Sequence, residues 1–304
     1  MNRNLRRMLA AGVSLGALNA VPAGAATISG TGQVTTGADV NTTLTITLTG
    51  ETDPSGVVNT GGVSEGAHVY DVPTGTIEQT ATAGIGAAVA NVVNAGSATI
   101  HAVAHATNAG GNATAEASIT EGPALYQGVF ATGSGDATGT IDNTGALSIT
   151  ADAKANASAA ASAEAYIETG IYQNVTAEDG NANAHLTNGG SIAILASAAA
   201  TGEAASASAQ IESGGIVQVA TAEGGSAHVD FTNDAGASIS VKAVANALGG
   251  SEATAYAYNS SAISQVAYAD GGEGSVASVA LDNSGTINLA AAAHATASTD
   301  AYAY

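Results

Sequence analysis

The chain has no cysteine, no tryptophan, two phenylalanines and four prolines in 304 residues. Without cysteine there is no disulfide framework, so any fold must be held by backbone hydrogen bonds and packing alone. Basic residues are almost as scarce: five lysines and arginines stand against 25 aspartates and glutamates, a formal charge of −20. Such a chain repels nucleic-acid phosphates and anionic lipid, and neither is expected as a partner. Beyond the first residues no apolar run approaches the length of a membrane-spanning helix, so no transmembrane helix is expected.

What fills the chain is a repeat. Ile171 to Gly215 reads IYQNVTAEDGNANAHLTNGGSIAILASAAATGEAASASAQIESGG, and degenerate copies of it occupy three quarters of the sequence. Two anchors set the register. One is an apolar residue followed two places later by glutamine: Ile77/Gln79, Leu125/Gln127, Ile171/Gln173, Ile216/Gln218 and Ile263/Gln265. The other is an Asn-x-Gly turn after an apolar residue: Val92/Asn94/Gly96, Ile141/Asn143/Gly145, Leu186/Asn188/Gly190 and Leu281/Asn283/Gly285, with Phe231/Asn233 one residue longer before Gly236. The glutamines are 48, 46, 45 and 47 residues apart. A near-constant period describes an array and not a globule with one centre.

Within each repeat, apolar and polar residues alternate. Leu147, Ile149, Ala151, Ala153 and Ala155 form one parity, and Ile192, Ile194, Ala196 with Ile239, Val241, Ala243 repeat it. Period two is the pattern of strands with one buried face. Alanine favours helix, but the period is wrong for helix and glycine cuts the runs. The fold class read from this is all-β: a parallel β-solenoid (β-helix) of about five ~46-residue repeats. The two halves of a repeat resemble each other, which points to two coils of ~23 residues in each; a single four-strand coil per repeat is the alternative. Neither half buries its apolar face alone, so stacking must create the core.

Three segments follow. Residues 1–25 read as a secretory signal peptide, with Arg3, Arg6 and Arg7, an apolar stretch from Met8 to Leu18, and Ala23-Gly24-Ala25 as the cleavage site. After its removal two lysines, Lys154 and Lys242, remain against 25 acidic residues, a formal charge of −23. Residues 26–76, Thr-rich with Pro54 and Pro73, read as an N-terminal cap. Residues 77–304 are the solenoid array, expected to be cut short at its C-terminal end because Tyr304 falls inside a repeat.

No catalytic, cofactor-binding or metal-binding residue is assigned. The glutamines point inward, where an amide must be hydrogen-bonded. They form a ladder if coils are 46 residues, and bond backbone or water if coils are 23. The asparagines tolerate left-handed backbone and bond their own turns. His101, His105 and His294 lie on outward positions; His101 and His105 are ~13 Å apart along a strand, too far to share a metal. His68, His185 and His228 are isolated. Glu178-Asp179-Gly180 and Asp270-Gly271-Gly272-Glu273 share a loop position and offer hard oxygens, making Ca²⁺ the one candidate ion, although no calcium nonapeptide is present. Tyr126 with Tyr172, Phe130 with Tyr268, and Tyr256-Ala257-Tyr258 with Tyr302-Ala303-Tyr304 form outward aromatic columns, able to stack on sugars or simply at home in strands.

The signal peptide, the acidic Ala/Gly/Ser/Thr/Asn-rich array and the phrase apolar-x-Asn-x-Gly-x-(Ile/Leu)-x-(Ile/Leu), as in Ile141 to Ile149 and Leu281 to Leu289, resemble the passenger region of bacterial autotransporters and related surface β-solenoid adhesins. The resemblance covers roughly residues 77–304, without the C-terminal outer-membrane barrel such proteins carry. It implies an exported, non-catalytic structural or adhesive rod at the surface of a Gram-negative bacterium. Adhesion, biofilm formation, and binding to host or matrix glycans and proteins would go with it. A weaker likeness is to curli-type fibre subunits, which implies self-association through the C-terminal edge. A polysaccharide-active β-helix enzyme is the third reading, and no acid pair supports it.

Overall fold

The computed structural model describes residues 77–304 except Ile85 and Glu121, and upstream of them the backbone of the strands Ala26–Ser29, Gln33–Ala38, Thr42–Leu48, Glu51–Thr52 and Ala67–Asp71. The signal-peptide stretch 1–25 lies outside the described residues. All regular elements in these residues are β-strands, and their pairings are parallel. Among the described residues no helix is long and apolar enough to cross a membrane.

Each repeat supplies four walls. The glutamine wall is built from Ile77–Ala83, Leu125–Ala131, 171–177, 216–222 and Ile263–Ala269. The asparagine wall is Ala88–Asn94, Ala137–Asn143, Ala182–Asn188, Ala227–Asn233 and Ala277–Asn283. A long wall follows, with Ser97–Asn108, Ala146–Ala157, 191–201, 238–248 and Thr286–Thr296. The fourth, the tyrosine wall, is Ala113–Ile119, 160–167, 204–211, 252–259 and Asp300–Ala303. The asparagine wall is a separate seven-stranded sheet; the other three walls belong to one fourteen-stranded sheet.

The register corrects the expectation of two coils per repeat. Strands stack on partners one whole repeat away, from Ala161↔Ala205 to Ala227↔Ala277, and none of these pairings joins the two halves of one repeat. The halves look alike because both are hairpin-like arms with an Ala-lined interior, not because one lies on the other. The stacking unit is thus the whole repeat. The rod is shorter and broader than half-repeat coils would make it: five glutamine rungs span four spacings, roughly 19 Å. Strands from the segment read as a cap join the same sheets, as in Thr42↔Ala88 and Ala67↔Ala113.

Alternation translates directly into burial. Leu147, Ile149, Ala151, Ile192, Ile194, Ala196, Ile239 and Val241 are all buried. Long wall and tyrosine wall, with Leu125, Ile171, Ile141 and Leu186 from the near ends of the other two, enclose the larger cluster, which includes Ile100, Ile149, Ile167, Ile194 and Ile211. The far ends of the glutamine and asparagine walls enclose a smaller one of alanine and valine, including Val129, Ala137 and Val175. Leu125 belongs to the first and Val129 to the second, so Gln127 between them stands on the partition. Corners explain the glycines. A Cβ on Gly145 would sit 2.0 Å from the Gly96 carbonyl oxygen, and one on Gly190 would sit 1.9 Å from that of Gly145. Coils at strand spacing leave no room for a side chain there, so close approach selects glycine.

Candidate functional site

The inward polar residues form two ladders that run the length of the array. Gln127 Nε2 donates to Gln79 Oε1 at 2.7 Å, Gln173 to Gln127 at 2.7 Å, Gln218 to Gln173 at 2.8 Å and Gln265 to Gln218 at 3.1 Å. The second amide hydrogen reaches across to the asparagine wall, as from Gln173 to the His185 carbonyl at 3.1 Å. The asparagines run the other way. Asn94 Nδ2 donates to Asn143 Oδ1 at 2.6 Å, Asn143 to Asn188 at 2.7 Å, Asn188 to Asn233 at 2.8 Å and Asn233 to Asn283 at 2.6 Å. The two ladders therefore have opposite polarity along the axis. Left-handed backbone at the asparagines, expected from the turn motif, is absent: among the described residues only glycines have positive φ. Their side chains point inward and tie coil to coil; a bond to the own turn is added at Asn94, which accepts from Gly96 N–H at 3.3 Å.

With the interior committed to stacking, chemistry is left to the outer walls. The long wall carries both lysines of the array. Asp152 there accepts from Lys154 Nζ at 2.7 Å and lies 3.3 Å from His105 Nε2. Burial alone would raise the Asp152 carboxyl, but the hydrogen bonds from Lys154 and His105 outweigh it and hold it below the usual aspartate range. On the asparagine wall His185 Nδ1 pairs with Asp230 at 3.1 Å, and His228 Nδ1 lies 2.6 Å from Ser278 Oγ. The exposed His294 is on the long wall, and the side chain of His68 lies outside the described residues. Among the described residues no three histidines or carboxylates gather as metal ligands would. The two acidic loops do not converge: Glu178 and Asp179 are exposed side by side, with Asp270 and Glu273 also exposed two coils away.

Outward aromatics occupy two walls, while Phe231 of the asparagine wall is buried. On the glutamine wall Tyr126 and Tyr172 stack with centroids 5.9 Å apart and planes 10° from parallel. Phe130 and Tyr268 share a column as expected, separated by Thr176 and Thr221. The tyrosine wall holds six of the nine tyrosines: Tyr70, in register with Glu116, and Tyr166, Tyr256, Tyr258, Tyr302 and Tyr304. Tyr166 and Tyr258 stand in one column with Gln210 between them, and Tyr304 lies opposite Tyr256. The Tyr166 hydroxyl donates to Glu212, and the Tyr256 and Tyr258 rings are 6.3 Å apart and 18° from parallel. Glu116 and Glu164 are direct neighbours there. Partial burial first, and the Glu116 charge second, raise the Glu164 carboxyl above its ordinary value.

Beside these tyrosines a cleft of about 450 Å³ crosses the coils near the tip joining long and tyrosine walls. Asn112, Thr114, Ser162, Ser206, Thr254 and Glu252 supply its polar groups. The sequence pattern pairs Tyr256-Ala257-Tyr258 with Tyr302-Ala303-Tyr304 but does not reach Tyr166 or the cleft. The signal it lacks is the whole-repeat coil itself, which brings positions 118, 166, 210 and 258 into one column. Comparison with protein-family models, curated proteins and solved structures finds no match to this chain.

Proposed function

We propose that this chain is an exported structural and adhesive β-solenoid of a Gram-negative cell surface, comparable to the passenger of an autotransporter and without catalytic activity. One observation carries the reading: the amide ladders and alanine columns use the interior entirely for stacking, leaving flat outer walls as the working surface. A rod whose length comes from repeats and whose walls present side chains at fixed spacing suits multivalent surface contact. The signal-like residues 1–25 and the acidic, cysteine-free composition support export without disulfides. Display of the chain on a Gram-negative host, with protease accessibility on intact cells and attachment to coated surfaces as readouts, tests this. Accessible chain and increased attachment are expected. A chain retained inside the cell, or attachment unchanged by its presence, would refute the proposal.

The second reading is a self-assembling extracellular fibre subunit. What favours it is the ladders themselves, since stacked amides are the device by which cross-β assemblies add identical layers. Amyloid-dye binding and size growth with concentration in light scattering would select this reading; a monomer at high concentration would remove it.

A further inference from the structure

We propose that the tyrosine wall, with the cleft that crosses it, binds an uncharged linear polysaccharide; this rests on the adhesive reading and names its ligand class. The cleft runs across the strands, so its partners come from successive coils. Thr114, Ser162, Ser206 and Thr254 occupy one column. Three strand spacings separate its ends, roughly 14 Å, which is the reach of a short oligosaccharide. Their hydroxyls both donate and accept, the Glu252 carboxylate accepts, and the Asn112 amide sits at one end. The floor stays open because it is strand backbone at Ala113, Ala161 and Ala205, whose methyls turn inward to the core, while the outward neighbours Ala160 and Ala204 add only a methyl group each.

Beside this hydroxyl row stand Tyr256 and Tyr258, 39% and 41% exposed, with near-parallel rings. An aromatic face with a polar rim matches a pyranose, which has a flat C–H face and hydroxyl edges. Charge decides between ligand classes. From Thr114 to Tyr304 no outward position of this wall carries lysine, arginine or histidine, and the basic group nearest in register is His68, paired with Thr114 at the column's end. Against Glu116, Glu164, Glu252 and Asp300 a sulfated, phosphorylated or uronic-acid polymer therefore meets net repulsion. A cation would find aromatic faces, but the cleft offers it one carboxylate against four hydroxyls and an amide. Hydroxyl-rich, neutral ligand is the better complement.

Native gels containing a soluble neutral β-glucan, dextran, alginate or poly-lysine, run with the exported chain, test the proposal. Retardation by at least one neutral polymer and none by alginate is expected. Tyr256→Ala with Tyr258→Ala should weaken retardation about ten-fold, and Ser206→Trp, at an exposed position, should block it by filling the cleft. Tyr126→Ala on the glutamine wall should leave it unchanged, and circular dichroism reports that each variant keeps its strands. No retardation by any neutral polymer, or retardation indifferent to the tyrosine and cleft variants, overturns the proposal. Retardation by poly-lysine alone, lost in the same variants, overturns it in favour of a cationic partner. Failure of glycan binding with attachment of displaying cells intact strikes this proposal and leaves the adhesive reading standing.

Discussion

Replacing Gln173 by leucine removes one rung from the middle of the glutamine ladder. Gln173 is fully buried; it donates to Gln127 Oε1 and the His185 carbonyl, and accepts from Gln218 Nε2 at 2.8 Å. In Gln173→Leu, Gln127 Oε1 loses its donor and Gln218 Nε2 keeps only its 3.3 Å bond to the Asp230 carbonyl, while Gln218 Oε1 still accepts from Gln265. Two stranded groups cost about 1–3 kcal/mol each, and the added apolar burial returns about 1 kcal/mol. The net loss is centred on about 3 kcal/mol. Changing Gln79, Gln127, Gln173, Gln218 and Gln265 together to leucine removes donors and acceptors in matched pairs, so the penalty per rung should fall well below that of the single change. Urea unfolding followed by far-ultraviolet circular dichroism gives the global effect. Hydrogen exchange in coils flanking residue 173 gives the local one, which matters because stacked repeats do not unfold as one unit. A single variant within about 0.5 kcal/mol of the parent, or five penalties that simply add, would refute the ladder as a coupled element.

Ile194→Asp places an unpaired charge in an Ala-lined core and should unfold the surrounding coils, whereas Ser240→Asp on the outer face of the same wall should shift urea midpoints little. Asn259 stands in the column of Ile119, Ile167 and Ile211 with its Oδ1 buried and unpartnered. Asn259→Ile should therefore stabilise by about 1–3 kcal/mol in the same titration. Asp152 and Glu164 should give opposite pH signatures. Because the Asp152 carboxyl is lowered on folding, its contribution is present above the ordinary aspartate range and fades as pH falls through the lowered value. Asp152→Asn therefore costs stability at pH 7 and nothing in strong acid. Glu164 is raised on folding, so stability declines as pH rises from the ordinary glutamate range through the raised value. Glu164→Gln should gain stability above that window and be neutral below it, read from urea midpoints against pH.

Period-two alternation makes the strands, the buried parity of Leu147 to Ala155 and the parallel stacking legible in the sequence, because each depends only on local spacing. Coil length is not legible there. Two half-repeats with the same strand, loop and glycine pattern look like two coils, and only pairings such as Leu147↔Ile192 separate the cases. Ladder polarity is hidden as well, since it depends on which amide hydrogen finds the facing wall. The asparagine conformation misleads for a related reason: Asn-x-Gly is a turn signal, but here glycine answers a steric need between coils and asparagine a hydrogen-bonding one. The tyrosine wall follows from the coil length, so it cannot be assembled while that stands open.

The central claim, one whole repeat per coil, is tested most directly by cross-linking, which the absence of native cysteine makes clean. Ser148 and Ala193, directly paired on neighbouring coils and one repeat apart, lie within disulfide reach when both are changed to cysteine. Tyr172, about half a repeat from Ser148, supplies the comparison pair. Rapid oxidation of Ser148→Cys with Ala193→Cys, and none of Ser148→Cys with Tyr172→Cys, is the expected result; the reverse would contradict the whole-repeat coil.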